Sequence, residues 1–141
     1  MDPLSQSLLQ DLISATRLGD LEAIERLLAL GVRPNVIDIH SRLSALHAAV
    51  MYQVGTLELL LRHCDDPDRP TILGGTALSY AIHELGESPP PEKREALLGA
   101  IKALLEAGAN PRYGAADQTA LELVRLYGLK DVESLLTGGA A

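Results

Sequence analysis

Histidine, cysteine and aspartate stand side by side in the segment His63-Cys64-Asp65-Asp66, which offers three kinds of metal ligand. Adjacent residues at the end of a helix point in different directions, and the chain has no second, spaced pair of ligands to complete a tetrahedral site. Cys64 is the only cysteine, so neither an internal disulfide nor a thiolate zinc cluster is expected. We therefore interpret the segment as a solvated helix terminus and predict no metal site.

The other histidines, His40, His47 and His83, are the residues from which general-base catalysis would have to start. No serine, histidine and aspartate in a supporting context accompany them, and no glycine-rich phosphate loop follows a strand pattern. Gly74-Gly75 is a lone glycine pair. The sequence therefore predicts no catalytic residue and no cofactor. A metal-dependent enzyme remains the rival from another class, and metal analysis of the purified protein separates the two.

One phrase that ends in proline is repeated three times along the chain, at residues 27–34, 60–67 and 104–111. In each copy a leucine pair ends a helical pattern, a residue suited to a helix stop follows, and a proline comes three positions later. Pro34 and Pro67 lie 33 residues apart, and Pro67 and Pro111 lie 44 apart, so the third unit carries eleven extra residues. A repeat of this length predicts a stack of small helical units.

Length and composition suit such a stack. The 141 residues correspond to one compact domain, or to about four units of a 33-residue solenoid. Hydrophobic residues make up 47% of the chain, yet phenylalanine and tryptophan are absent, so the core must consist of leucine, alanine, isoleucine and valine. This composition favours thin, closely spaced helices over a thick sheet sandwich.

The formal net charge of −7 restricts the expected partners. It repels phosphate backbones and anionic lipids, so neither nucleic acid nor a membrane surface is expected, and a protein with a basic or neutral contact surface is favoured. The same charge opposes self-association, which predicts a monomer. The start of the chain lacks a basic segment followed by a long apolar run, and no stretch is long enough to span a bilayer, so a cytoplasmic location is expected.

The units can be delimited from the helical periodicity. Apolar residues recur at helical spacing from Leu8 to Leu18, Gly19-Asp20 interrupts the helix, and a second helix runs from about Leu21 to Leu30. We expect a lead-in and a disordered tail on either side of the repeats. The predicted segments are the lead-in 1–7, units one to four at about 8–36, 37–69, 70–112 and 113–137, and the tail 138–141.

The segment Ser44-Ala45-Leu46-His47-Ala48-Ala49, which opens unit two, resembles the Thr-Pro-Leu-His-x-Ala-Ala signature of ankyrin repeats. Weaker copies at 76–81 and 119–124 are in phase with the leucine pairs, so the resemblance covers roughly residues 8–137. Alanine stands where the family usually has proline. The serine or threonine hydroxyl at the start of each copy can cap the first helix of its unit.

The resemblance implies an all-α solenoid of four stacked helix-turn-helix units with projecting finger loops. The fingers are the first (35–43), the second (68–75) and the third (110–118). His47 is implied to be structural, with a hydrogen bond between neighbouring fingers. The three prolines at 89–91 forbid helix continuation, but Pro91-Glu92 suits a helix start. The insertion is therefore predicted to be a protruding loop plus about one or two extra turns on the second helix of unit three.

In ankyrin proteins the fingertips and the exposed side of the first helices form a concave groove that binds other proteins. Mapped by motif phase, the groove comprises Ile39, His40, Arg42, Met51, Tyr52, Arg69, Ile72, Leu73, His83, Glu84, Tyr113 and Leu126. This mixture of aromatic, aliphatic and arginine side chains is typical of an interface centre. Taken alone, each exposed apolar residue is equally consistent with covering the edge of its own unit.

The sequence thus favours a non-enzymatic module that binds another protein and sequesters or inhibits it, for example in an immunity or inhibitor role. This function rests on analogy with small ankyrin inhibitors. The alternative is an adaptor or chaperone that bridges two proteins. An adaptor needs a second surface, and the loop from Glu87 to Arg94 is the candidate.

Overall fold

The chain folds into pairs of antiparallel helices joined by turns and by the finger loops. The computed structural model describes residues 2–114 and 119–138. Within these residues there are eight α-helices and no strand, which confirms the predicted all-α repeat fold. The helices are α1 (Pro3–Leu18), α2 (Leu21–Ala29), α3 (Ala45–Tyr52), α4 (Leu57–Leu61), α5 (Ala77–Gly86), α6 (Pro91–Glu106), α7 (Ala120–Leu126) and α8 (Lys130–Leu136). A 3-10 turn, Val54–Thr56, precedes α4.

Polar side chains cap the first helix of every unit. The Ser44, Thr76 and Thr119 hydroxyls accept hydrogen bonds from the N–H three residues further on, at 3.3, 3.2 and 3.1 Å. Asp2 does the same for α1, through the N–H of Ser5 at 2.8 Å. The predicted hydroxyl caps are therefore confirmed, and alanine in place of the family's proline does not displace the helix starts.

Helix α1 begins earlier than the apolar periodicity indicated. It starts at Pro3, five residues before Leu8, so most of the segment expected as a lead-in is helical. The Asp2 cap and a proline in the first turn, where a missing N–H costs no hydrogen bond, explain this start. Periodicity missed it because residues 5–7 are polar.

In two of the three repeated phrases the helix ends in the same way, at the glycine that the sequence predicted as the helix stop. Gly31 and Gly108 adopt left-handed conformations, with φ of 94° and 97°. The residue after each donates its N–H to the first leucine of the pair, at 3.2 and 2.9 Å. In the second phrase the Cys64 N–H donates to the Leu61 carbonyl at 3.2 Å. Unit two therefore ends its second helix without a left-handed residue.

The insertion in unit three is mostly helical. Helix α6 has 16 residues against 9 in α2, and Pro91 stands in its first turn, so the predicted extra turns are confirmed. Residues 87–90 alone connect α5 to α6, with Ser88 in a left-handed conformation at φ 56°. The loop itself is therefore short, and residues 91–96 at the start of α6 are exposed.

The core runs along the stack. First helices pack on first helices of the next unit, α1 on α3, α3 on α5 and α5 on α7, and the second helices pack likewise. Its buried hydrophobic residues are leucine, isoleucine, valine and alanine, as the composition required. None of the described helices combines the length and the apolar character that a bilayer crossing requires. Residues 115–118 of the third finger and 139–141 of the predicted tail lie outside the described residues.

Candidate protein-binding groove

The first finger is a turn fixed by a buried carboxylate. The Asp38 N–H donates to the Leu43 carbonyl at 2.9 Å, and the Arg42 N–H donates to the Asp38 carbonyl at 2.7 Å. The Asp38 side chain accepts hydrogen bonds from the Ser41 N–H at 2.9 Å and from the Gln6 amide. Burial raises the pKa of Asp38, but these hydrogen bonds outweigh it and hold the pKa below its usual value. The tip between 38 and 43 is thereby held in place.

The hydrogen-bonded turn of the second finger is one residue shorter than that of the first finger. The Thr71 N–H donates to the Gly75 carbonyl and the Gly74 N–H donates to the Thr71 carbonyl, both at 2.9 Å. Gly74 supplies the left-handed conformation of this turn, with φ 93°. Ile72 and Leu73 form the tip, with 78% and 77% of their surface exposed. Two aliphatic side chains are thus presented to solvent on a hydrogen-bonded turn.

His47 joins unit two to the second finger. Its Nε2 lies 3.0 Å from the Gly75 carbonyl, and its Nδ1 lies 2.8 Å from the Ser44 hydroxyl. A carbonyl only accepts, so Nε2 carries the proton and Nδ1 is an acceptor. Burial lowers the pKa of His47 from 6.5 to about 4, although the hydrogen bond to Gly75 opposes this shift. The structural role implied for this histidine is confirmed.

Tyr80 packs against both His47 and Gly75, the two residues that this hydrogen bond joins. It was not among the predicted groove residues. Its ring meets the His47 ring edge-on, with centroids 4.9 Å apart, and its hydroxyl lies 3.3 Å from the Thr71 hydroxyl. A Cβ at position 75 would lie 2.5 Å from the Tyr80 ring, so only glycine leaves room for this contact. The repeat signature gave no sign of it, because alanine occupies the position of Tyr80 in unit two.

An open cleft of about 390 Å³ lies between the second finger and helices α3, α5 and α7. It is lined by Met51, Leu73, Gly75, Ser79, Tyr80, His83, Glu84 and Leu123. Four of the residues predicted from motif phase, Met51, Leu73, His83 and Glu84, are therefore brought together in one site. Ser79, Tyr80 and Leu123 also line the cleft but were not among the predicted groove residues. The cleft is concave and largely apolar, as ligand-binding clefts generally are.

Most of the other predicted groove residues are exposed at the surface. Ile39, His40, Arg42, Arg69, Ile72, Tyr113 and Leu126 are exposed, and they do not line the cleft. Tyr52 is 48% exposed, but the Arg17 guanidinium lies 4.6 Å from its ring centroid and covers one face. His83 bonds to the Tyr127 hydroxyl at 2.6 Å and lies 3.5 Å from the Glu87 carboxylate. The membership of all twelve residues in one binding surface stays a prediction.

The segment His63-Cys64-Asp65-Asp66, which contains possible metal ligands, forms polar contacts with the preceding unit. Asp65 forms an ion pair with Arg33 and accepts a hydrogen bond from the Asn35 amide at 3.1 Å. Asn35 also donates to the Asp66 carbonyl at 3.0 Å. Burial raises the pKa of the Cys64 thiol, which disfavours a thiolate ligand. The segment thus joins the bases of neighbouring units. Within the part of the chain that the structure describes, no cluster of three histidine, cysteine or acidic residues could hold a metal ion.

The same joint recurs one unit further along the stack. The residue that follows the proline of one repeated phrase forms a hydrogen bond with the residue that precedes the proline of the next phrase. Asn35, after Pro34, bonds in this way to Asp66, before Pro67. In the following pair the Asp68 carboxylate accepts the Asn110 N–H at 2.8 Å. Comparison with known families agrees with this periodicity, because a model of ankyrin repeats, in three copies, matches residues 12–112. The chain belongs to the ankyrin-repeat family.

Ankyrin repeats are in general a non-enzymatic fold that binds other proteins, and this ankyrin-repeat chain is such an interaction module. Among known proteins it is similar to the ARF GTPase-activating protein GIT1 of Homo sapiens, with 36% identity over 88 residues. That match covers 59% of this chain and 12% of the human protein. The Mus musculus and Rattus norvegicus proteins of the same name match with the same identity over 11% of their length. The GTPase-activating function in that name is stated of those proteins.

Arg42 is strained at the tip of the first ankyrin finger. Its φ of 64° is a left-handed conformation. In the second finger, the residue with a left-handed conformation is Gly74. We expect Arg42→Gly to raise the free energy of unfolding by about 0.5–1 kcal/mol, because relief of the left-handed strain exceeds glycine's extra entropy in the unfolded chain. Urea denaturation measures the change. Arg69→Gly is the matched control at an ordinary backbone conformation, and a larger gain there would contradict the explanation.

Proposed function

We propose that this ankyrin-repeat chain captures a segment of one partner protein in the cleft beside the second finger and thereby sequesters or inhibits that partner. One observation carries the proposal: Ile72 and Leu73 are held exposed on a hydrogen-bonded turn, and Leu73 lines an open, largely apolar cleft. Exposed aliphatic side chains that are clustered at a concave site mark interaction surfaces. The rest of the stack positions this site.

The site is arranged to bind with little loss of conformational freedom. The second finger is fixed by its own turn, by the bond from His47 to Gly75, and by the packing of Tyr80. Burying an exposed leucine contributes about 1.5–3 kcal/mol, and a rigid site keeps more of that energy for affinity. A partner side chain that enters the cleft meets Met51 and Leu123 on its floor. Apolar anchoring on a fixed frame therefore supports the proposal.

The proposed setting is an immunity or inhibitor role towards a cytoplasmic protein. The net charge of −7 supports a partner with a basic or neutral contact surface, because an acidic surface would be repelled. The adaptor alternative has one supporting observation: the extended α5–α6 hairpin has exposed side chains in the first turns of α6. A bridging protein would use the cleft for one partner and this hairpin for another.

Leu73→Ala, Tyr52→Ala and Tyr113→Ala are each expected to weaken partner binding by about 1–3 kcal/mol without a comparable loss of stability. Leu73 lines the cleft, so its substitution should have the largest effect of the three. The partner is obtained by pull-down from the native cell, and isothermal titration calorimetry then gives the affinities. Leu21→Ala is the matched control, a half-exposed leucine on the second helix of unit one. Unchanged affinity for all three variants would refute the groove.

The contribution of the α5–α6 hairpin to partner binding has to be tested with a variant that leaves the fold intact. From the sequence, deletion of Glu87 to Pro90 is expected to change the affinity by less than about 1 kcal/mol. These residues are the whole connection between α5 and α6, so Glu92→Ala combined with Arg94→Ala tests the same surface more cleanly. Both side chains are exposed in the first turn of α6. If this pair abolished binding while Leu73→Ala had no effect, the partner would be held by the hairpin.

A further inference from the structure

Unit one leaves an apolar surface uncovered at its end of the stack. We define this end face by Leu8, Asp11, Arg26, Leu27, Leu30 and Val32. Leu30 is 69% exposed and stands between two clefts of about 540 and 230 Å³, both of which it lines. The larger cleft continues to Leu27, and the smaller one to Leu8 and Val32. Each molecule therefore presents a leucine ridge flanked by two concave surfaces.

The same positions are covered in the interior of the stack. Leu27 is the first leucine of its pair and is half-buried, whereas the corresponding Leu60 and Leu104 have no exposed surface. Val32 is half-buried, and the corresponding Ala109 of unit three is 7% exposed. In units two and three, the second helix of the preceding unit packs against the helix that carries the corresponding leucine. The end face therefore has the chemistry of a surface that another unit of this chain covers.

The opposite end of the stack is finished differently. Lys130, Asp131 and Ser134 are exposed on α8, and Arg125 forms an ion pair with Glu133 at 2.9 Å. A terminal repeat with a polar outer surface keeps such an array soluble. These exposed side chains of α8 are polar, whereas the exposed Leu30 of unit one is apolar.

We propose that the end face is an interface between two copies of this chain, related by a two-fold axis. A two-fold interface requires a surface that is complementary to itself, so that residue i meets residue j and residue j meets residue i. Leu30 of one copy can then enter a cleft beside Leu30 of the other.

The charges on the end face favour the same arrangement. Asp11 and Arg26 line the same cleft, and within the described residues neither forms an ion pair. In a two-fold pair, Asp11 of each copy can meet Arg26 of the other, which gives two ion pairs across the interface. A face with one acid and one base is thus suited to a copy of itself. This local match opposes the repulsion from the net charge of −7, on which the expectation of a monomer was based.

Dimerisation through the end face leaves the candidate groove free. The end face belongs to α1, α2 and the turn after them, whereas the cleft lies between the second finger and α3, α5 and α7. The two proposals therefore rest on different surfaces and can fail separately. A dimer would display two clefts, so a partner with two copies of its segment would bind with increased avidity.

Sedimentation velocity of the full chain, from micromolar to near-millimolar concentration, tests the proposal. The parent is expected to reach twice the 15.0 kDa monomer mass. Leu30→Asp should weaken dimerisation at least about tenfold, because it places a carboxylate in the apolar centre of the interface. Asp11→Arg and Arg26→Asp should each weaken it by repulsion, and the double variant should recover it, because the pairs are exchanged.

The controls separate this interface from folding and from other contacts. Leu126→Asp changes a leucine that is 76% exposed on α7 and should leave dimerisation unchanged. Circular dichroism should show the parent helix content for each variant. A parent that remains monomeric at the highest concentration, or a dimer that Leu30→Asp leaves unaltered, overturns the proposal. So does a mass that keeps rising with concentration, because a two-fold interface is closed.

Discussion

Leu104→Ala is expected to lower the free energy of unfolding by about 2–5 kcal/mol, and Leu60→Ala should do the same. Both leucines are fully buried, on second helices that pack against the second helices of both neighbouring units. Removing either side chain leaves a cavity that the surrounding helices cannot easily close. Because each unit is stabilised by its neighbours, the loss should extend through the short array. Urea denaturation followed by circular dichroism measures it.

The second leucine of each pair is the matched control. Leu61 and Leu105 are half-buried, so their substitution by alanine should cost clearly less than substitution of Leu60 and Leu104. The order within each pair therefore tests the register of the repeat. Equal losses within a pair, or a larger loss at the second leucine, would show that the assigned faces of α4 and α6 are wrong.

The stability of the chain should fall between about pH 6.5 and pH 4 because of His47. Its folded pKa of about 4 lies below the unfolded value of 6.5, so only the unfolded chain binds this proton in that interval. The contribution is complete above pH 6.5 and is lost as the pH falls, by about 2 kcal/mol at pH 5 and about 3 kcal/mol in total. Protonated Nδ1 would face the Ser44 N–H, which is itself a donor.

Urea unfolding at about pH 7.5 and about pH 5 measures this difference, since the carboxylates with lowered pKa, such as Asp38, lose their contribution mainly below that range. His47→Gln is expected to be less stable at both pH values and to show little difference between them. His63→Gln is the control, because this exposed histidine lies at a helix end. A parent with equal stability at both pH values would contradict the burial of a neutral His47.

The local elements of this chain follow from its sequence because each depends on residues close in the chain. Ser44, Thr76 and Thr119 cap helices through N–H groups three positions away. Gly31 and Gly108 end helices through a conformation that glycine adopts without strain. Pro91 begins α6 for an equally local reason. The repeat period, the family and the all-α fold could therefore be predicted, as could four of the residues that line the cleft.

The features that depend on contacts between units were fixed only by the tertiary structure. Leu27 and Leu60 occupy the same place in the repeated phrase, yet Leu27 is half-buried and Leu60 is fully buried, on a helix against which α2 packs. Tyr80 became part of the cleft through its contact with His47 and Gly75. The sequence by itself thus determined the repeated unit and the all-α repeat fold. Stacking decided which side chains are buried and how low the pKa of His47 lies, since burial depends on neighbours distant in the chain.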